Sequence, residues 1–243
     1  METAAMLIVG DEILAGSTHE KNLPVAAKFL ADKGIKLAEV RIIPDDTSTI
    51  VSVLNHLRAT YTYVITSGGI GPTHDDLTTA AIAQAFGVAL VRNPEIEAKF
   101  WAKHGPTMKP EVLKMADYPA GAVLYPNALS TAPGYQLGNV FVMAGIPSIF
   151  QAMLQAAAGC FKQGHPIQQF ALHVVAREGQ IAAALQAVQQ AHPTVSVGSY
   201  PTVTPERTTV KLVARSADPV ALAASAQAIA HLVQTLGLTV LES

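Results

Sequence analysis

The 243-residue chain is poor in cysteine, in aromatic residues and in charge. Its single cysteine, Cys160, excludes an internal disulfide and fits a reducing compartment. Only 14% of the residues are charged, the formal net charge is -2, and no Lys/Arg cluster occurs, so no nucleic-acid partner is expected. No apolar run reaches the roughly 18 residues of a membrane-spanning helix, and the N-terminal stretch lacks the pattern of a signal peptide. We therefore expect a cytoplasmic protein without a membrane partner.

Half of the residues are hydrophobic, and they occur in short runs that end at glycine, proline or polar residues. Residues 4–9, 37–43 and 61–66 have the pattern of buried parallel strands, and helical stretches lie between them. Asp46 or Thr47 is suited to cap the helix that follows the second strand. The alternation predicts an α/β domain with a mostly parallel sheet that helices cover on both faces.

The C-terminal part of the sequence has a different order of elements. Residues 92–138 are less regular, with helices predicted near 94–104 and 110–116 and turns elsewhere. After residue 166 the pattern becomes β-α-β-β-α-β, which is the order of a ferredoxin-like α+β unit. We therefore predict two domains, residues 1–165 and residues 166–243.

Two polar segments follow predicted strands: Gly10-Asp11-Glu12 and the loop SGGIGPTHDD from Ser67 to Asp76. Ligands of parallel sheets bind beyond the carboxyl ends of the strands, so the two segments are expected to share one edge. The glycines allow positive φ and close approach to the backbone amides. Residues 78–86 are predicted to be helical, and a start of that helix near Thr73–Asp76 would direct free N–H groups at an anion. Alternatively, Thr73 and Asp76 form a capping box that only starts the helix.

The adjacent carboxylates Asp75 and Asp76 would repel a phosphate held by this loop unless a cation lies between them. Oxygen ligands of this kind suit Mg²⁺ or Mn²⁺, which bridge carboxylates and substrate phosphates. Asp11 and Glu12, at the end of the first strand, are further candidate ligands. The sequence therefore predicts a divalent metal (Mg²⁺, Mn²⁺ or Co²⁺) together with a phosphorylated ligand.

Three further features have a functional and a plain structural interpretation. His74 would contact a phosphate or transfer a proton, or it only packs the loop. The loop NALSTAPGY, residues 127–135, is either part of a site or a connection between strands. The segment MAGIP, residues 143–147, repeats the strand-turn-helix pattern and offers a second anion-binding helix start or a well-made cap. The sequence alone favours the cap.

Four segments in chain order resemble the N-terminal domain of the competence/damage-inducible protein A (CinA) family: GDEILAG at 10–16, TSGGIGPTHDDLT at 66–78, the loop at 127–135 and GIP at 145–147. That domain is similar to the MoaB/Mog molybdopterin-binding proteins and to the molybdopterin-binding-like domain of FAD synthases. The resemblance covers about residues 4–164 and implies a three-layer α/β/α fold. The tail, with GSYP at 198–201, resembles the small domain that follows in the CinA and FAD synthase-like branch.

The resemblance also implies a site. Asp75 and Asp76 would be the catalytic acids, and Asp11, Glu12, Asp75 and Asp76 the metal ligands. The residues expected to bind substrate or phosphate are Gly10, Asn22, Ser67, Gly68, Gly69, Gly71, Thr73, His74, Ser130 and Gly145. Ser130 stands where many CinA sequences have glycine.

Two activities occur in domains of this kind, according to the resemblance. We predict metal-dependent hydrolysis of a nucleotide pyrophosphate of the ADP-ribose or FAD class. The alternatives are a molybdopterin-binding or adenylylating protein of molybdenum cofactor synthesis, and a metabolite-binding domain without catalysis. The expected partner is a small nucleotide or pterin ligand, and the resemblance favours a homo-oligomer.

Overall fold

A computed structural model describes residues 2–241, and in it the chain divides into two compact units. The first unit contains the residues up to Leu30 and Ile35–Gln163. The second contains Ala31–Gly34 and the residues from Gly164 onwards. Within residues 2–241, every helix is too short or too polar to cross a membrane.

The chain up to Gln163 supplies eight of the described strands and seven of the described α-helices. The strands are β1 (Thr3–Val9), β2 (Lys36–Ile43), β3 (Tyr63–Ser67), β4 (Leu90–Arg92), β5 (Asp117–Pro119), β6 (Val123–Tyr125), β7 (Gly134–Leu137) and β8 (Val140–Met143). The helices are α1 (Asp11–Leu14), α2 (Asn22–Asp32), α3 (Thr47–Thr60), α4 (Thr78–Phe86), α5 (Pro94–His104), α6 (Pro110–Leu113) and α7 (Pro147–Ala156). Short 3₁₀ turns lie at Gly105–Thr107, Lys114–Ala116 and Ala158–Cys160.

Six of these strands form one sheet in the order β2-β1-β3-β8-β7-β6. The first four are parallel, whereas β7 runs antiparallel to both β8 and β6. The prediction of a mostly parallel sheet is therefore confirmed. The strands β5, β6 and β7 lie in a region for which the sequence predicted only helices and turns. They have three or four residues each, too few for a clear alternating pattern.

Strand β1 shows how the sheet is covered on both faces. Ala5, Leu7 and Val9 point into one hydrophobic core, which α3 and α4 complete. The alternate residues of the same strand point into a second core, completed by α2 and α7. Because side chains alternate along a strand, a continuous apolar run fills both layers, and the three-layer α/β/α architecture follows.

The second unit consists of β9 (Gln168–Val175), α8 (Glu178–Ala191), β10 (Ser196–Val203), β11 (Thr208–Ser216), α9 (Pro219–Thr235) and β12 (Thr239–Val240). Its strands form an antiparallel sheet in the order β10-β11-β9-β12, and both helices contribute to its core. This order confirms the predicted ferredoxin-like α+β unit.

Candidate functional site

A pocket of about 510 Å³ opens in the first unit where β1, β3 and β8 end. The predicted site residues that line it are Gly10, Glu12, Gly68, Gly69, Gly71, Thr73, Asp75, Asp76, Ser130 and Gly145. Asn22 and Ser67 line an adjoining cavity of about 350 Å³, which shares Glu12, Gly68 and Gly145 with the pocket. Asp11 and His74 are not among the residues that line either cavity.

Gly68 and Gly69 allow the chain to turn sharply at the end of β3. Both have positive φ, 101° and 67°, a region that side-chain-bearing residues rarely adopt. A Cβ atom on Gly68 would lie less than 3.0 Å from the carbonyl oxygen of Val9, and one on Gly69 equally close to the hydroxyl of Thr78. The turn therefore packs directly against the end of β1 and the start of α4.

The helix after this loop has the bounds that the sequence predicts, 78–86. Helix α4 begins at Thr78, whose N–H donates to the carbonyl oxygen of Gly69 at 2.9 Å. The alternative in which the helix already begins near Thr73–Asp76 does not hold. The Asp76 carboxylate instead accepts a hydrogen bond from the Thr73 N–H at 2.8 Å and another from the Thr73 hydroxyl, which closes a turn ahead of the helix. The hydrogen bond of the predicted capping box is therefore present, but it closes a turn and does not form the first turn of a helix.

The glycine loop also presents unused hydrogen-bond donors. In residues 2–241, no acceptor pairs with the backbone N–H groups of Gly69, Ile70 and Gly71, all of which line the pocket. Backbone donors that lack a protein partner are available to a ligand or to water. A group of successive amides is suited to an anion with several oxygens, such as a phosphate.

The start of α7 is a second source of donors. Ile146 precedes the helix and makes no side-chain cap, and Pro147 occupies the first turn. Both residues line the pocket, and the segment from Gly145 to Ser148 is exposed. The helix start that the sequence favoured, with Pro147 in the first turn, is present, but no side chain accepts a hydrogen bond from the first N–H groups. The positive end of the α7 dipole therefore faces the pocket without a side-chain acceptor.

Asn22 holds the adjoining loops together. Its buried side chain donates from Nδ2 to the Ser67 hydroxyl at 2.8 Å and to the Gly145 carbonyl oxygen at 2.7 Å. The other amide atom, Oδ1, has no hydrogen-bond partner among the described residues. Glu20 accepts hydrogen bonds from the N–H groups of Asn22 and Leu23, and so caps α2. Asn22 thus joins the start of α2 to the ends of β3 and β8.

Asp45, at the end of β2, is a pocket residue that the sequence analysis did not select. It accepts a hydrogen bond from the Asp11 N–H at 2.9 Å. Burial raises the pKa of Asp45 above its ordinary value, and repulsion from neighbouring carboxylates adds to the rise. These neighbours are Asp11, Glu12 and Asp75. The sequence could have indicated Asp45, because β2 was expected to be parallel to β1 and therefore to end at the same edge of the sheet as the other site residues.

The carboxylates in the pocket suit a cation that arrives with its ligand. Glu12, Asp45, Asp75 and Asp76 line the pocket, and none of the described lining residues is Lys or Arg. No group of three or more His, Cys, Asp or Glu residues within 2–241 is arranged to hold a metal by itself. Mg²⁺ is commonly held by one or two carboxylates together with substrate phosphates. The donor set therefore fits Mg²⁺ shared with a phosphate.

Lys114 anchors the loop from outside the pocket. Its Nζ atom donates to the carbonyl oxygens of Thr73 and Asp76 at 2.9 and 2.6 Å. The contact spans about 40 positions in sequence, so no local pattern could predict it. His74, in contrast, has a side chain that is 98% exposed, with Nδ1 at 3.9 Å from the Asp75 carboxylate. Lys114 thus stabilises the loop, while His74 extends away from it.

The fold and the pocket define a three-layer α/β/α domain with a small-molecule site, followed by a small α+β domain. Residues 5–163 match the family described as "Probable molybdopterin binding domain". Residues 166–239 match the family described as "FAD synthase, middle domain". The chain belongs to the family of probable molybdopterin-binding domains, and its likeness to CinA-like proteins confirms the resemblance of the sequence.

Individual relatives agree with this assignment. A protein from Pyrobaculum calidifontis is 32% identical over 213 residues, which are 83% of this chain and 81% of that protein. A CinA-like protein from Desulfosudis oleivorans is 34% identical over 159 residues, 63% of this chain but only 38% of the relative. The crystal structure of "the protein CinA with unknown function" from Thermoplasma acidophilum has a TM-score of 0.62 and 30% identity, and the match covers 66% of this chain and 98% of that one.

Proposed function

We propose that the pocket binds a small phosphorylated ligand of the nucleotide or pterin class and cleaves a nucleotide pyrophosphate. The main support for the proposal is that backbone N–H groups without a partner and carboxylates line the same pocket. The N–H groups of Gly69, Ile70 and Gly71 and the start of α7 are suited to phosphate oxygens. The carboxylates suit a divalent cation, Mg²⁺, Mn²⁺ or Co²⁺, which neutralises phosphate charge when bound.

The proposed reaction adds water across the P–O–P bond. ADP-ribose would give AMP and ribose 5-phosphate, and FAD would give AMP and FMN. Asp75 and Asp76 would orient the attacking water. Asp45 would be the proton acceptor, because its raised pKa makes it a stronger base than an ordinary carboxylate.

A turnover screen tests this reaction. Metal-stripped protein is offered ADP-ribose, FAD, NAD and ATP, each with and without Mg²⁺, Mn²⁺ or Co²⁺, and products are separated by chromatography. We expect metal-dependent release of AMP from ADP-ribose or FAD, and loss of at least a hundredfold in rate in a folded Asp76→Ala variant. If turnover survives in Asp76→Ala, that residue does not have the proposed role.

Binding of molybdopterin is the second candidate function, because residues 5–163 match a molybdopterin-binding family. In this case the chain would bind molybdopterin without hydrolysing a pyrophosphate, or would adenylylate it with consumption of ATP. Release of pyrophosphate from ATP that depends on added molybdopterin and yields no AMP distinguishes adenylylation from hydrolysis. Saturable binding without any turnover would identify a non-catalytic binding domain. The expected cytoplasmic location and the homo-oligomer remain predictions, testable by fractionation and by light scattering.

A further inference from the structure

A second cavity of about 510 Å³ lies beside the acidic pocket in the first unit. Helix α5 forms one wall of this cavity, and the segment Pro126–Thr131 forms the other. Ser130 lines both this cavity and the acidic pocket, so the two spaces meet at that residue. We call the second cavity the α5 groove.

The charge of the α5 groove is opposite to that of the pocket. Lys99 and Lys103 line it, and none of its described lining residues is acidic. The two lysines are one helical turn apart on α5, where like charges repel each other and favour a bound anion. Lys99 has no hydrogen bond or ion pair in residues 2–241, and Lys103 has only a long contact of 3.4 Å to the Thr131 hydroxyl. Glu95, one turn before Lys99, does not line the groove.

The wall shared by the two cavities is well defined. The side-chain Oδ1 atom of Asn127 accepts hydrogen bonds from the N–H groups of Leu129 and Ser130 at 2.9 and 2.8 Å. The Ser130 hydroxyl accepts from the Ala132 N–H at 3.2 Å. Leu129, with 59% of its surface exposed, places an apolar side chain at the rim of the groove. A flat ring or sugar crossing at Ser130 would pack against such a side chain.

We propose that the α5 groove is a second anion-binding subsite, in which Lys99 and Lys103 bind a phosphate carried by the same ligand that occupies the acidic pocket. This inference rests on the proposed function, and it specifies the ligand further. Because the two cavities share the lining residue Ser130, a ligand that occupies both carries two phosphate groups that are separated by a spacer crossing at this residue. A nucleotide with an additional phosphate on its ribose has this arrangement.

The first test uses inorganic pyrophosphate without any metal, so that the unneutralised carboxylates of the acidic pocket oppose binding there, and any residual binding there is the same in all variants. Its affinity is measured by isothermal titration calorimetry for the parent protein, for Lys99→Gln/Lys103→Gln and for the control Lys36→Gln/Lys109→Gln. The control removes the same charge from two exposed lysines that line neither cavity. We expect about tenfold weaker binding only in the groove variant, and weaker binding by the parent at high salt. Absence of parental binding, or equal loss in both double variants, would overturn the subsite.

The second test asks whether the groove and the pocket share one ligand. With Mg²⁺ present, ADP-ribose and ADP-ribose 2′-phosphate are compared in the parent and in Lys99→Gln/Lys103→Gln. We expect the additional phosphate to tighten binding by at least fivefold in the parent and to have no effect in the groove variant. If the additional phosphate has the same effect in both proteins, the groove does not serve this ligand, and the shared-ligand inference fails.

Failure of the proposed function gives a different result. If Asp76→Asn binds both nucleotides as tightly as the parent, the role of the acidic pocket is rejected, whereas the pyrophosphate result still supports the groove. If the parent binds neither nucleotide, the nucleotide class and the shared ligand are both rejected. In that case the pyrophosphate titration alone decides whether the groove binds anions.

Discussion

The two glycine turns beside the pocket leave different amounts of room. At the end of β3, Gly68 and Gly69 have positive φ and no space for a Cβ atom. At the end of β8, a Cβ atom on Gly145 would have the Cα atom of Gly68 as its nearest neighbour, at an ordinary 3.4 Å. The conformation of the turn after β3 therefore requires its glycines. The turn after β8 is exposed, and the Asn22 side chain from α2 holds it in place.

Gly68→Ala is the strongest test of this difference. The substitution combines a φ of 101° with a collision against the Val9 carbonyl, so we expect it to lower the free energy of unfolding by about 3 kcal/mol or more. Gly145→Ala should cost less than about 1 kcal/mol. Urea unfolding followed by circular dichroism measures both. Equal losses would mean that packing does not distinguish the two turns.

Asn22→Ala tests what holds the second turn. The substitution leaves the buried Ser67 hydroxyl and the Gly145 carbonyl oxygen without their partner, and we expect a cost of about 2 kcal/mol. Urea unfolding of this variant is compared with that of Asn55→Ala, a residue whose bond is to a neighbour on the same helix. A loss no larger than in Asn55→Ala would show that Asn22 does not hold the turn.

Lys114→Met tests whether Lys114, which lies outside the pocket, stabilises the glycine loop after β3. The methionine keeps the apolar stem but removes the donor to the carbonyl oxygens of Thr73 and Asp76, so we expect a loss of about 1 kcal/mol. The amides of residues 73–78 should exchange with deuterium several-fold faster, because the loop opens more often. Lys109→Met serves as the control. Unchanged exchange in this segment would contradict the anchoring role.

The sequence predicted the framework more completely than the loops. Apolar runs and the glycines after β1 and β3 were sufficient for the parallel sheet and for the edge at which the pocket opens. The short strands β5 to β7 were missed because three or four residues carry little periodic signal. The helix over 78–86 was predicted, but the sequence left open an earlier start at Thr73–Asp76, because these residues make the local bond of a capping box and a turn can use the same bond.

Contacts between distant parts of the chain were beyond the reach of local patterns. The bonds from Lys114 and from Asn22 depend on tertiary placement. Asp45 illustrates a different kind of miss, because β2, the strand that ends two residues before it, was predicted. The sequence around it was interpreted only as the start of a helix. Asp46 does cap α3, since its carboxylate accepts from the Thr49 N–H at 2.8 Å, but Asp45 points to the pocket.

The contributions of the neighbouring residues Asp45 and Asp46 to the stability of the fold should change with pH in opposite directions. Hydrogen bonds, from the Ser48 hydroxyl first and then from Thr49, lower the pKa of Asp46 to about 2. Its ionised form therefore stabilises the fold above the unfolded pKa of about 4, and this contribution is lost as the pH falls toward 2. Burial raises the pKa of Asp45, so its stabilising contribution is present below about pH 4 and is lost as the pH rises through the folded pKa.

The variants Asp45→Asn and Asp46→Asn test these two contributions through the pH dependence of their Tm values. In the metal-free protein at pH 7, Asp45→Asn removes an unfavourable, partly buried charge, and we expect its Tm to be about 1–3 °C above that of the parent. The gain should shrink as the pH is lowered, because protonation of Asp45 in the parent removes the same charge. Asp46→Asn should instead lower the Tm at pH 7, because the amide is a weaker acceptor for the cap. Scanning calorimetry between pH 4 and 8 measures both shifts. A Tm gain for Asp45→Asn that stays constant across this range would mean that the charge of Asp45 is not its cause.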